Sequence, residues 1–252
     1  MASPEPIRPP SWWLLGLEGR AWLELASVVP ALPLLSRAPR GDGHPVLVLP
    51  GYLASDRSTQ ALRWFLRGRG YHVHGWRLGR NFGPAPAVVD GLRDRFAALV
   101  DRHGKKVSLI GWSLGGIYAR EIARRAPQHV RSVITLASPF RGPNVSNVGR
   151  LARRGDFRPD PTLHARLAAP LDVPSTALFS RSDGIVAWQA CVQVEAPRAE
   201  NVEVWSSHCG MGHHPAALWV IADRLAQADG AWAPFRWPAW AAPWSPARRA
   251  TG

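Results

Sequence analysis

From residue 41 onward, short apolar runs alternate with stretches whose apolar positions recur every three to four residues. That is the pattern of a parallel sheet covered by helices. Val46–Leu49 is continuously apolar between Pro45 and Pro50, which predicts a strand buried on both faces. Arg57–Arg69 reads as an amphipathic helix with Leu62, Phe65 and Leu66 on one side, and Tyr71–Trp76 as the next strand. After a Gly/Pro-rich loop, Ala87–His103 carries Val88, Leu92, Phe96 and Leu99 at helical spacing. Val107–Ile110, Ser132–Leu136, Thr176–Phe179 and Val202–Trp205 supply further strands. Leu114–Ala126, stopped by Pro127, and Pro215–Gln227 supply further helices. The expected architecture is a three-layer α/β/α sandwich around a mostly parallel sheet of about six strands.

The flanks do not follow this alternation. Residues 1–40 read as a helical segment lying on the core, with Trp12, Trp13, Leu17 and Leu23 as its packing residues. Glu18, Arg20, Glu24, Pro30 and Pro33 interrupt the apolar stretch well short of the roughly 20 residues a membrane span needs. A signal peptide is not evident either, because Glu5 accompanies Arg8 and no small-residue cleavage site follows. Residues 41–229 form the α/β unit and 230–252 a Trp/Pro-rich tail. Within the unit, 140–173 shows no period and reads as a short lid, with six Arg against Asp156, Asp160 and Asp172. No repeat and no internal boundary is evident.

Composition adds a charge problem. The 252 residues carry 31 Lys and Arg against 18 Asp and Glu, a net charge of +13. Such a balance admits a nucleic-acid or anionic-surface binder. All basic residues except Lys105 and Lys106 are Arg, and Trp reaches 13. This vocabulary follows from a GC-rich coding sequence without functional pressure, and the charges form neither a run nor a helical stripe. Nucleic acid is therefore not an expected partner, whereas weak association with an anionic membrane surface is. Cys191 and Cys209 are too few for a disulfide framework. They fit a reducing, cytoplasmic setting, as two unrelated buried thiols rather than a bridge.

The chemistry concentrates at Gly111-Trp112-Ser113-Leu114-Gly115-Gly116, where the KVSLI strand runs directly into a helix. This is G-x-S-x-G in the strand–turn–helix context that gives it meaning. A nucleophile on so sharp a turn needs near side-chain-free residues two before and two after it, and Gly111 and Gly115 provide them. The turn raises the Ser113 hydroxyl above the sheet and aims a helix N-terminus at it. Serine needs a base, and the base an orienting acid. Asp183 falls four residues past Phe179, and His208 three past Trp205, so both are expected on loops at the same sheet edge as Ser113. Asp172 precedes its strand, Asp156 and Asp160 sit in the irregular insertion, and His213 and His214 abut the closing helix as caps or pocket residues. The backbone N–H of Leu114 and that of Tyr52, in the Pro50-Gly51-Tyr52-Leu53 loop, are the candidate oxyanion donors. No metal or other cofactor is expected, since the His208-Cys209…His213-His214 cluster lacks metal-ligand spacing.

Through LVLPGYLAS, LIGWSLGG, ITLASPFRGP, FSRSDGIVAW and SSHCGMGHHP, from about Pro45 to Gln227, the sequence resembles the α/β-hydrolase superfamily on its esterase and lipase side. The resemblance implies Ser113 as nucleophile, Asp183 as acid, His208 as base, Tyr52 and Leu114 as oxyanion positions, and a small-molecule or lipid ester as substrate. It also implies a sheet trimmed at its N-terminus, because the two antiparallel strands usual there are not evident. Acyltransferase, thioesterase and amidase activities use the same triad. A non-catalytic anionic-surface-binding protein of this fold is the alternative from another class. Oligomeric state and chain-length preference do not follow from the sequence.

Overall fold

The computed structural model describes residues 7–142, 145–147 and 161–244. Arg150, Arg153, Arg154, Arg158, Asp156 and Asp160 of the basic insertion lie outside these residues, as do both chain ends.

Six strands among the described residues form one fully parallel sheet: β1 (Pro45–Leu49), β2 (His72–Gly75), β3 (Val107–Trp112), β4 (Val130–Leu136), β5 (Ser175–Phe179) and β6 (Ala199–Glu203). Their spatial order is β2-β1-β3-β4-β5-β6. Consecutive side chains of β1 serve opposite faces. Val46 and Val48 join one core with Ile110, Ile134 and Leu136, while Leu47 and Leu49 join the other with Val107, Leu109 and Val133. This is why the strand reads as an uninterrupted apolar run rather than an alternating one.

Three helices cover the first face: α3 (Val28–Leu35), α4 (Gln60–Gly68) through Leu62, Phe65 and Leu66, and α8 (Pro215–Leu225) through Leu218 and Ile221. Helices α5 (Pro86–His103) and α6 (Leu114–Arg125) cover the second through Leu92, Phe96, Leu99, Tyr118 and Ala119. Helix α5 opens with Pro86 in its first turn and ends on Gly104 at φ 58°, a left-handed C-terminal stop that glycine adopts without steric cost. Helix α7 (Pro161–Ala168) closes the basic insertion, and buried Leu167 packs with Phe140. The tail returns over α8, with Trp240 edge-on to Trp219 at 4.7 Å between ring centroids.

Several boundaries differ from the sequence reading. The sixth strand is Ala199–Glu203 rather than Val202–Trp205. Only Val202 of it is buried, since it is an edge strand with polar neighbours, and its register follows from pairing with β5 rather than from its own apolar pattern. The fourth helix starts at Gln60, after a turn in which Thr59 is capped back onto Asp56.

The N-terminal segment departs most. It comprises α1 (Trp12–Gly16), a 3-10 turn at Leu17–Arg20, α2 (Ala21–Ala26) and α3. Trp12, Trp13, Leu17 and Leu23 are not its packing residues: they are 59%, 78%, 39% and 73% exposed. Leu35 is buried instead, with Val28, Ala31 and Leu34 partly covered against the core. Glu18, one of the charged residues that interrupt the apolar stretch, is buried. The segment is fastened by polar bonds at its middle and by apolar packing at its two ends, through Ile7 and through α3. Among the described residues no helix is long and apolar enough to cross a membrane.

Candidate active site

The loops past the C-terminal strand ends carry the backbone strain. Among the described residues, the non-glycines with positive φ are Leu53, Arg77, Ser113 and Ala137, and each follows the end of one of the first four strands. Strain of this kind persists only where surrounding structure enforces it, and it gathers at functional sites. Ser113 has φ 52° and ψ −121°, a tight reversal between β3 and α6. Its N–H still donates to Leu136 O of β4 at 2.8 Å, and its carbonyl accepts from Gly116 N at 2.9 Å. The turn closes so tightly that a Cβ on Gly111 would overlap the backbone of Gly115 and Gly116. One on Gly115 would overlap the backbone of Leu49 and Pro50, so both glycines are sterically required.

Asp183, buried in the loop after β5, is held by its own backbone: Oδ1 accepts from Ile185 N at 2.8 Å and Val186 N at 2.7 Å. Oδ2 lies 2.7 Å from Nδ1 of His208, which is buried in the loop after β6. In the neutral ring that bond places the proton on Nδ1 and leaves Nε2 as the basic nitrogen. Burial by itself pushes the His208 pKa down. The charge and hydrogen bond of Asp183, with the charge of Glu18, outweigh it and hold the pKa above the ordinary histidine value.

Ser113 is half-buried. No hydrogen bond joins its Oγ to His208 among the described residues. The two loops are connected one residue away, where Trp112 Nε1 donates to His208 O at 3.0 Å.

The β1 loop meets Ser113 from the other side. A Cβ on Gly51 would stand 3.2 Å from Ser113 Cβ, so only glycine lets this backbone come so close without displacement. The N–H groups of Tyr52 and Leu114 donate to no protein acceptor among the described residues. The loop is tied down by buried Asn81, which the sequence reading passed over. Its amide donates to Pro50 O at 3.0 Å, its carbonyl oxygen accepts from Tyr118 Oη at 3.2 Å, and its backbone bonds Leu53 and Ala54. An Asn in a Gly/Pro-rich loop gives no sequence signal, because its partners come from two distant segments, the loop after β1 and helix α6.

Of the rival residues, Asp172 precedes β5 at the opposite edge, and Asp156 and Asp160 lie outside the described residues. His214 caps α8, its Nδ1 accepting from Ala216 N at 3.2 Å, and His213 Nε2 bonds Ala21 O at 3.0 Å. The cysteines are unbridged, Cys191 buried but Cys209 exposed, which corrects the expectation of two buried thiols. A second Asp–His–Ser string exists at the other end of the sheet, where His44 lies 2.6 Å from Asp42 and 2.9 Å from Ser108 Oγ. Ser108 is fully buried inside β3 and bonded to Ser132, so substrate has no path to it.

No family model matches this sequence. The chain is 32% identical over 98 residues to a pimeloyl-[acyl-carrier protein] methyl ester esterase of Shewanella woodyi, spanning 39% of this chain and only 37% of that relative. Solved structures resemble far more of it. A lipase-esterase related protein from Clostridium acetobutylicum superposes with a TM-score of 0.50 at 16% identity, covering 75% of this chain and 97% of its own. Mouse alpha/beta hydrolase domain-containing protein 10 gives 0.50 at 17% identity, covering 75% and 90%. The monoacylglycerol lipase of Paleococcus ferrophilus gives 0.53 at 14% identity, covering 74% and 96%. The chain has the α/β-hydrolase fold. In this α/β-hydrolase-fold protein the strained serine sits at the strand-to-helix turn after β3, and the Asp183–His208 pair occupies the loops after the last two strands.

Proposed function

We propose that this protein is a serine carboxylic-ester hydrolase. One observation carries the reading. A serine forced into a strained strand-to-helix turn shares a sheet edge with a buried, hydrogen-bonded aspartate–histidine pair. His208 Nε2 takes the Ser113 proton as Oγ attacks the ester carbonyl carbon. The oxyanion is held by the Leu114 and Tyr52 N–H groups, which among the described residues have no protein acceptor to give up. Asp183 keeps the imidazole in its working tautomer and stabilises the imidazolium. The tetrahedral species collapses as His208 protonates the leaving alkoxide, giving an acyl-enzyme. Water, deprotonated by the same nitrogen, then releases the acid and frees Ser113.

The rim supports ester substrates that are amphiphilic or anionic. Exposed Tyr52, Leu53 and Phe82 share the loops beyond β1 and β2 with exposed Arg57, Arg77 and Arg80. Apolar contact and positive charge are therefore presented together. The same rim would favour contact with an anionic lipid surface.

A series of nitrophenyl esters of increasing acyl length, hydrolysed by wild type and Ser113→Ala, tests the proposal. Wild type is expected to turn over part of the series and to be labelled at Ser113 by an organophosphonate, and the variant to do neither. Full activity in Ser113→Ala, or a wild type inert to both the esters and the phosphonate, would refute it.

A further inference from the structure

Three charged side chains of the N-terminal segment reach across the fold to the loops that carry Asp183 and His208. Glu18 Oε1 accepts from Gly184 N at 2.7 Å and from His208 N at 3.0 Å, and its Oε2 accepts from Cys209 N at 2.9 Å. Gly184 is the residue after Asp183, so one carboxylate holds the acid loop and the base itself by their backbones. Two turns on, Glu24 accepts from Ser207 N at 2.8 Å, from Ser207 Oγ at 2.7 Å and from Ser206 Oγ at 3.1 Å. Arg20 donates to Ser182 O at 2.7 Å and Ser182 Oγ at 2.9 Å while pairing with Glu24 at 3.1 Å.

We propose that Glu18 is a positioning residue for the reaction. Its carboxylate clamps the Asp183 loop to the His208 loop and adds a second negative charge beside the imidazole, so the N-terminal segment is a working part of the active site. The inference rests on the reading of Ser113, Asp183 and His208 as a hydrolytic triad.

A neutral side chain could bridge these backbones, and burying a carboxylate is costly unless its oxygens are satisfied. Here three N–H donors satisfy it, and among the described residues no cation pairs with it. Arg20, the nearest guanidinium on the same segment, is committed to Glu24 and Ser182. The groups around His208 are Asp183 from the β5 loop, Glu18, the Arg20–Glu24 pair, Cys209, and His213 and His214 from the start of α8. Within this set Glu18 is the carboxylate beyond the triad that lacks a cationic partner. Its charge favours the imidazolium that forms as Ser113 attacks. It also bears on Cys209: although the residue is exposed, partial desolvation of its thiol, with the charge and hydrogen bond of Glu18, pushes the pKa up to about 12.

The test compares Glu18→Gln, Glu18→Asp and, as a control, the exposed Glu195→Gln. Glu18→Gln keeps the shape and one acceptor oxygen, which can still take the Gly184 and His208 N–H groups, while it removes the charge and the acceptor for Cys209 N. It is expected to lower kcat about tenfold with KM little changed, and to move the acid limb of kcat/KM down by roughly half a pH unit, an order of magnitude set by loss of one nearby charge. Glu18→Asp keeps the charge but shortens the reach, so it lowers kcat while leaving the acid limb in place. A second readout needs no turnover. Iodoacetamide alkylation of Cys209 at pH 8, with buried Cys191 silent and Cys209→Ser as blank, is expected to quicken several-fold in Glu18→Gln only. Wild-type pH and alkylation profiles in Glu18→Gln would overturn the proposal even if activity fell. Should wild type prove inert to every ester while alkylation still quickens in Glu18→Gln, the hydrolase reading fails and the electrostatic clamp stands. Should Glu18→Gln not fold, an acid limb displaced in Glu18→Asp would equally overturn it.

Discussion

The indole N–H of Trp112 donates to the carbonyl oxygen of His208 at 3.0 Å, joining the residue before the candidate nucleophile to the candidate base across 96 positions of chain. The indole also fills the space beside Gly212, where a Cβ would collide with its ring. The Ser113 and His208 loops are thus registered by one side chain inside the core. Trp112→Phe deletes the donor and part of the indole, leaving the buried His208 carbonyl only the long 3.4 Å bond from Met211 N, at a cost of about 1–3 kcal/mol. Its urea midpoint is expected to fall accordingly, and kcat to fall by more than the loss of folded protein explains. Equal loss in both would show that the bond stabilises without positioning.

The pH dependence of activity has a definite sign. His208 must be neutral at Nε2 to accept the Ser113 proton, and its folded-state pKa lies above the ordinary value of 6.5. The acid limb of kcat/KM is therefore expected above pH 6.5. The same shift stabilises the fold below the unfolded-state value, and that contribution is lost as pH rises through the folded-state pKa. Asp183→Asn removes the dominant raising influence and leaves burial to prevail, so the limb should move below 6.5. By the precedent of serine proteases kcat should drop on the order of 10⁴-fold. A pH–rate profile of both proteins measures each effect.

Two glycine substitutions make opposed predictions. Gly111→Ala drives a methyl group into the backbone of Gly115 and Gly116 and is expected to cost about 1–3 kcal/mol or to prevent folding. Gly68→Ala, in the last turn of α4 with open space around it, is expected to stabilise by about 0.4–1 kcal/mol through the unfolded state. Urea denaturation of both variants separates the elbow's steric demand from a general intolerance of alanine.

Exposed Arg77 and Arg80 border the β2 loop beside Phe82. For an ester carrying a carboxylate, KM is expected to rise with salt between 20 mM and 0.5 M, as screening shortens the reach of these charges to a few ångströms. Arg80→Glu should raise KM for that ester and leave a neutral ester of equal length unaffected. Equal effects on both substrates would remove the rim from recognition.

The fold was legible where burial is two-sided. Val46–Leu49 and Val107–Ile110 announce themselves because helices cover both faces, and the Gly111–Gly115 spacing is forced by backbone contact. Ala199–Glu203 was shifted because an edge strand carries little apolar pattern, and the N-terminal segment was misread for the reverse reason. Its tryptophans look like core residues and are exposed, whereas Glu18 and Glu24 look like solvated interruptions and are its anchors. Periodicity assigns acids to water by default and cannot know that three backbone N–H groups from residues 184, 208 and 209 converge on one of them.

The sequence by itself determined the order of strands and helices, the strained turn at Ser113, and which loops would carry an acid and a base. Those features depend on local sterics and on the period of side-chain burial, which neighbours in the chain decide. The tertiary structure alone decided that Asp183 meets His208 at 2.7 Å, that Asn81 holds the Tyr52 loop, and that Glu18 spans the acid and base loops. Each joins groups dozens of residues or more apart, and a hydrogen bond a few tenths of an ångström in tolerance exists only once the whole sheet has set their separation.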